Sequence, residues 1–159
     1  MIRKLNKSDY GTEGIADFPL INQELYVLIG ENVKIEYAER CIHHLQSLPS
    51  DVVETLLSGT IKYCEDFREH FADDGITIPE NMIANEVLPY IHAGGIYIMG
   101  TPKDENIPVF TLSLNCDWEQ EHGMEWAIQG NKVIYIGAFN GGFSPWEEEY
   151  TDDIAGSYV

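Results

Sequence analysis

The hydrophobic period of this chain changes once, and that change restricts the folds open to it. Between Tyr37 and Phe71 apolar residues recur every three or four positions, whereas from Phe110 to Ile136 they alternate with polar ones. A period near 3.6 lays an apolar stripe along a helix, and a period of 2 gives a strand one apolar face. Tyr37, Ala38, Cys41, Ile42, Leu45 and Leu48 form a first helical stripe ended by Pro49. Val53, Leu56, Leu57, Cys64, Phe67 and Phe71 form a second, opened by Asp51 and Glu54 at capping-box spacing. So short a link predicts an antiparallel helix pair. Downstream, Phe110, Leu112, Leu114 and Cys116 make one strand face and Met124, Trp126 and Ile128 the next. Gln129-Gly130-Asn131-Lys132 is a hairpin turn before Val133–Ile136, so the C-terminal part reads as an antiparallel β-meander.

Shorter signals fill in the rest. Leu25–Ile29 is β-prone and ends at Gly30, with Val33-Lys34-Ile35 as a second arm of a first strand or hairpin. Pro79 marks the start of a short helical piece that Pro89 disrupts, and Gly94-Gly95 is a turn that releases a strand over Ile96–Met99. Residues 1–18 show no steady period and read as an irregular lead-in; residues 140–159, with the run Glu147-Glu148-Glu149, read as an acidic loop and tail. The expected fold is α+β in a single domain over residues 1–159, an antiparallel sheet packed against the helix pair. A length of 159 residues suits one such domain.

Charge narrows the function. The chain carries 27 acidic and 9 basic residues, a formal net charge of −18. A nucleic-acid binder draws most of its non-specific affinity from a positive surface, so this balance argues against nucleic acid and favours a basic partner. Three cysteines, Cys41, Cys64 and Cys116, are too few and too scattered for a disulfide framework, which fits a reducing compartment. No apolar run is long enough to span a membrane, and the polar stretch after Met1 does not read as a signal peptide. The expected location is the cytoplasm.

The densest polar constellation runs from Cys116 to Gly123, Cys-Asp-Trp-Glu-Gln-Glu-His-Gly, between two predicted strands. Parity puts Cys116 on the apolar face of one strand and His122 on that of the next, so a tight connection would set them opposite each other. Two chemical readings follow: a Cys116/His122 nucleophilic pair, and a metal site of Cys116, His122 and one carboxylate. Asp117, Glu119 and Glu121 disfavour the thiolate the first requires, and the second lacks the ligand spacing of known zinc motifs. No catalytic residue, metal or cofactor is therefore assigned, and a small hydrolase or metal-dependent enzyme centred on Cys116 and His122 stands as the alternative. For binding, Trp118 and Trp146 lie in predicted loops among acidic residues, the composition of a surface that grips a basic protein; equally, each ring could cap one end of the core. The expected partner contacts are Asp117, Trp118, Glu119, Glu121 and Trp146, supported by Cys116, His122 and Trp126.

The same segment, followed by Met124-Glu125-Trp126 and Val133–Phe139, resembles an uncharacterised family of small acidic bacterial domains that are read as immunity proteins of polymorphic-toxin systems. Glu36–Cys41 and Tyr63–Glu69 are similar to it as well. The resemblance implies a non-enzymatic protein that neutralises a cognate, basic toxin domain by complex formation. Electrostatic steering of an acidic inhibitor onto a basic toxin is consistent with the charge balance.

Overall fold

A computed structural model of the chain describes residues 1–141, 144–146 and 156–159. Seven strands form one sheet in sequence order: β1 (Arg3–Ser8), β2 (Gly11–Phe18), β3 (Gln23–Ile29), β4 (Ile91–Ile98), β5 (Val109–Cys116), β6 (Glu119–Gln129) and β7 (Lys132–Ala138). Neighbours are antiparallel except β3 and β4, which are parallel. Parallel neighbours need a crossover, and here it carries every helix among the described residues: α1 (Ile35–Gln46), α2 (Ser50–Asp66), α3 (Arg68–Asp73) and a 3₁₀ turn over Ala84–Tyr90. The chain is thus a mixed, mostly antiparallel sheet with a few helices.

Most residues of the helical stripes read from sequence are buried, though Leu48, Val53 and Phe67 are only half-buried and Val52 and Tyr63 are buried beside them. Tyr37, Ala38, Cys41, Ile42 and Leu45 of α1 and Leu56, Leu57, Tyr63 and Cys64 of α2 all enter one core with the sheet. The main neighbours of the helices are strands, β2 for α1 and β7 for α2. Gly59 marks the closest approach of α2, since a Cβ there would stand 2.3 Å from Ile136 Cδ1. Asp51 does not cap α2: the helix starts at Ser50 behind Pro49, which makes no side-chain cap hydrogen bond.

Four local expectations are corrected. Residues 3–18 are a β-hairpin rather than a lead-in. Its inward positions on β2 are Gly14, Ala16 and Phe18, so small residues hide the alternation; Gly14 is small because Ile2 packs there, 2.6 Å from where a Cβ would sit. Val33-Lys34-Ile35 is not a hairpin arm but the entry to α1. Pro79 starts no helix; the 3₁₀ turn begins at Ala84, where Glu86 accepts the Ile83 N–H at 2.8 Å. Gly94-Gly95 lies inside β4, at a bulge where the Gly95 N–H donates to Ser113 Oγ at 3.0 Å. Any side chain at Gly94 would meet the Ser113 carbonyl, so the pair reflects close strand approach rather than a turn. The run Glu147-Glu148-Glu149 lies outside the described residues. Beyond it, the Tyr158 N–H donates to the Ile136 carbonyl at 2.8 Å and the Tyr158 ring reaches Tyr63, so residues 156–159 lie along the edge of β7.

Candidate functional site

The segment Cys116–Gly123 joins β5 to β6. In the body of the two strands Leu112 pairs with Trp126 and Leu114 with Met124. Continued one step, that register would set Cys116 opposite His122. Instead Asp117-Trp118 makes a two-residue turn, Cys116 pairs with Glu119, and Gln120 to Gly123 stand out as a bulge facing Asn115 alone. Gly123, at φ +71°, brings the chain back into register, and its carbonyl accepts the Tyr63 hydroxyl at 3.0 Å. The turn is held from the other side by the Asp117 N–H, which donates to the Tyr90 carbonyl at 3.0 Å.

This geometry separates the two residues that parity had paired. Cys116 is buried, and its thiol donates to the Glu119 carbonyl at 3.4 Å. Burial, with Glu119 and Asp117 nearby, pushes that thiol up to about 12, so little thiolate forms near neutrality. The side chain of His122 is 69% exposed, with Nδ1 3.2 Å from Glu119 Oε2. The Glu119 carboxylate is largely buried and also accepts the N–H groups of Glu121 and His122, each at 3.0 Å. Glu119, Glu121 and His122 each offer one ligand atom, all within 4.8 Å of one another. The metal-capable set is therefore two carboxylates and an imidazole, without Cys116.

The bulge forms one wall of a cleft of about 650 Å³. Phe67 and His70, with Asp74 and Ile76 just beyond α3, form the other wall; Asp117 to Glu121 face them. Among the described residues four carboxylates, those of Asp74, Asp117, Glu119 and Glu121, line it, and no lysine or arginine does. Asp117 Oδ1 lies 2.8 Å from His92 Nε2, and Glu119 is held as described. Asp74 and Glu121 form no ion pair among the described residues.

The tryptophans behave differently from the acids. Trp118 is only 3% exposed: its ring turns inward, 6.0 Å from Tyr63 at 79°, and its Nε1–H has no hydrogen-bond partner among the described residues. Trp146 is also buried, beside Tyr37, whose hydroxyl bridges Ile107 and Val109 at the far end of β5 from the cleft. Neither ring offers a broad face to a partner, and Trp146 is not brought to Asp117–Glu121. Trp126 is fully buried, with Nε1–H donating to Thr60 Oγ1 at 3.0 Å. His70, Asp74 and His92 join the site only through tertiary contact, His70 and Asp74 in the facing wall and His92 against Asp117.

Residues 1–143 match the family described as a domain of unknown function, DUF6985. The chain belongs to this family. The match takes in all seven strands and the whole cleft, and leaves Trp146 outside. No curated protein and no solved structure matches the chain.

All three thiols of this DUF6985 domain are buried, and burial pushes those of Cys41 and Cys64 up to about 11. In the folded protein at pH 8, iodoacetamide is expected to leave all three unmodified over the time in which a urea-unfolded sample takes up three adducts, read by intact mass. Rapid labelling of Cys116 alone would reopen the nucleophile reading.

Proposed function

We propose that this DUF6985 domain is a non-enzymatic binding protein that captures a basic protein partner, acting as an immunity protein that neutralises a toxin domain by covering it. The observation that carries the proposal is the cleft between α3 and the β5–β6 connection, lined among the described residues by four carboxylates and by no lysine or arginine, with His92 and His122 paired to Asp117 and Glu119 and none paired to Asp74 or Glu121. Lysine and arginine side chains of a partner can enter such a cleft and meet Asp74 and Glu121, while the net charge of −18 raises the encounter rate. The buried, protonated Cys116 weighs against a thiol hydrolase.

The test is capture of the partner from a bacterial host expressing the tagged domain, at low and moderate salt, followed by affinity measurement. Asp74→Lys with Glu121→Lys is expected to weaken the complex about 100-fold, the scale of two close charge pairs lost and reversed. Their circular dichroism should be unchanged. Retained affinity would move the interface elsewhere; loss of all partners at moderate salt would leave only non-specific charge.

A second reading, a metal-dependent hydrolase, takes its support from the Glu119, Glu121 and His122 set, three ligands that leave one position of a tetrahedral ion open. Zinc co-purifying near one equivalent, and lost in His122→Ala, would favour it over the binding reading.

A further inference from the structure

The sheet has a second face, turned away from the helices, and its exposed part differs from the cleft. On β3 the inward residues Leu25, Val27 and Ile29 belong to the core, while Glu24, Tyr26 and Leu28 point the other way. Register carries Tyr26 across to Ile15 on β2 and to Gly95 on β4, and Leu28 to Glu13 and Tyr97. Gly95 is the pivot of this patch. A Cβ there would lie 3.2 Å from Tyr26 Cδ1 and 3.6 Å from Tyr97 Cε2, so both phenol rings lie against bare backbone. The Phe139 ring continues the patch, 6.3 Å from that of Tyr97. Tyr26 is 40% exposed and Phe139 37%, two of the few large hydrophobic side chains left open to solvent among the described residues.

Carboxylates border these rings. Asp17 and Glu24 share the guanidinium of Arg3, so the face already holds one arginine between two acids of its own. Glu13 stands beside the Tyr26 hydroxyl and pairs with no cation among the described residues. Planar guanidinium groups stack on phenol faces and fork onto carboxylates, which is the chemistry that two tyrosines and a glutamate bonded to one of their hydroxyls present. A second copy of the chain is a poor occupant, because it would bring another 18 negative charges to the contact.

We infer that the outer face at Tyr26, Gly95, Tyr97 and Phe139 is a docking surface for an arginine-bearing segment of a basic protein, with guanidinium groups on the tyrosines and one ion pair at Glu13. The inference rests on the reading of the domain as a receptor for a basic partner and adds a second, aromatic contact to the acidic cleft. The two surfaces are tested by different residues.

The test is an NMR titration of the ¹⁵N-labelled full chain with a synthetic peptide of alternating arginine and valine, beside a control with norleucine for arginine. Amide shifts are expected at Tyr26, Gly95, Tyr97 and Phe139 with the arginine peptide only. Tyr26→Ala with Tyr97→Ala should weaken binding about tenfold, the scale of two exposed cation–π contacts. If that pair fails to fold, Glu13→Lys, on the face the core does not use, carries the same test through charge repulsion. Shifts confined to Asp74 and Asp117–Glu121 would overturn the docking surface while leaving the acidic cleft intact. Equal binding of the norleucine control, a concentration-dependent dimer in sedimentation, or no shift at millimolar peptide would each overturn it as well.

Discussion

Replacing Trp126 by alanine is expected to cost about 3–5 kcal/mol of stability, the range for truncating a buried tryptophan. The ring is fully buried on β6, across from Leu112 on β5 and Ile136 on β7. Its Nε1–H donates to Thr60 Oγ1 at 3.0 Å, and the Thr60 hydroxyl donates in turn to the Leu56 carbonyl at 2.7 Å. The side chain therefore joins α2 to the middle of the sheet by packing and by a two-step hydrogen-bond chain inside the core. Alanine removes the ring and leaves a cavity that the helix layer cannot fill without shifting. In a chain of this size the loss corresponds to a Tm lower by roughly 10 °C. Trp126→Phe separates the parts: it keeps most of the volume and forfeits the hydrogen bond, for about 1 kcal/mol. Urea unfolding of the three proteins measures both numbers. An alanine variant within about 1 kcal/mol of the parent would mean that Trp126 does not join the two layers.

The second large effect is expected at Gly123, where Ala should act on the site and on stability together. The residue sits at φ +71°, where a side chain costs about 1–3 kcal/mol. A Cβ would also come within 2.6 Å of the Leu114 carbonyl oxygen, which is backbone and cannot swing aside. The only relief is to move the end of the bulge, and with it the Gly123 carbonyl that accepts the Tyr63 hydroxyl. Gly123→Ala should therefore lower Tm and also displace Glu121 and His122, seen as altered amide shifts across 119–123 and weakened partner capture. A substitution at Gly75, which also has positive φ but open space around it, is the control for φ strain alone. If the two variants behave alike, steric contact at Gly123 plays no part.

The cleft illustrates how far spacing alone could reach. Its acidic wall, Asp117, Glu119 and Glu121, is contiguous in sequence and was legible as a polar cluster between two strands. Its other wall was not. His70 and Asp74 are more than 40 positions upstream and meet the cluster only because the crossover from β3 to β4 returns α3 to the end of β5. The expected opposition of Cys116 and His122 failed for a local reason: alternation gives the register of a strand body but not the place where a tight turn takes over. Once Asp117-Trp118 closed the hairpin, three residues of register had to be absorbed, and the bulge did so. The same turn carries Trp118 into the core, where its apolar area is worth more than at a rim.

The sequence by itself determined the two helical stripes, the strand faces from Phe110 to Ile136, the acidic character and the absence of a disulfide framework, because each follows from side-chain period or from composition. Tertiary structure alone decided the parallel pairing of β3 with β4, the hairpin at residues 3–18, the inward turn of both tryptophans, and the second wall of the cleft. Those depend on which strand finds which neighbour across 60 residues of crossover, and on small residues such as Gly14 and Gly95 whose reason lies in the atom packed against them rather than in the pattern around them.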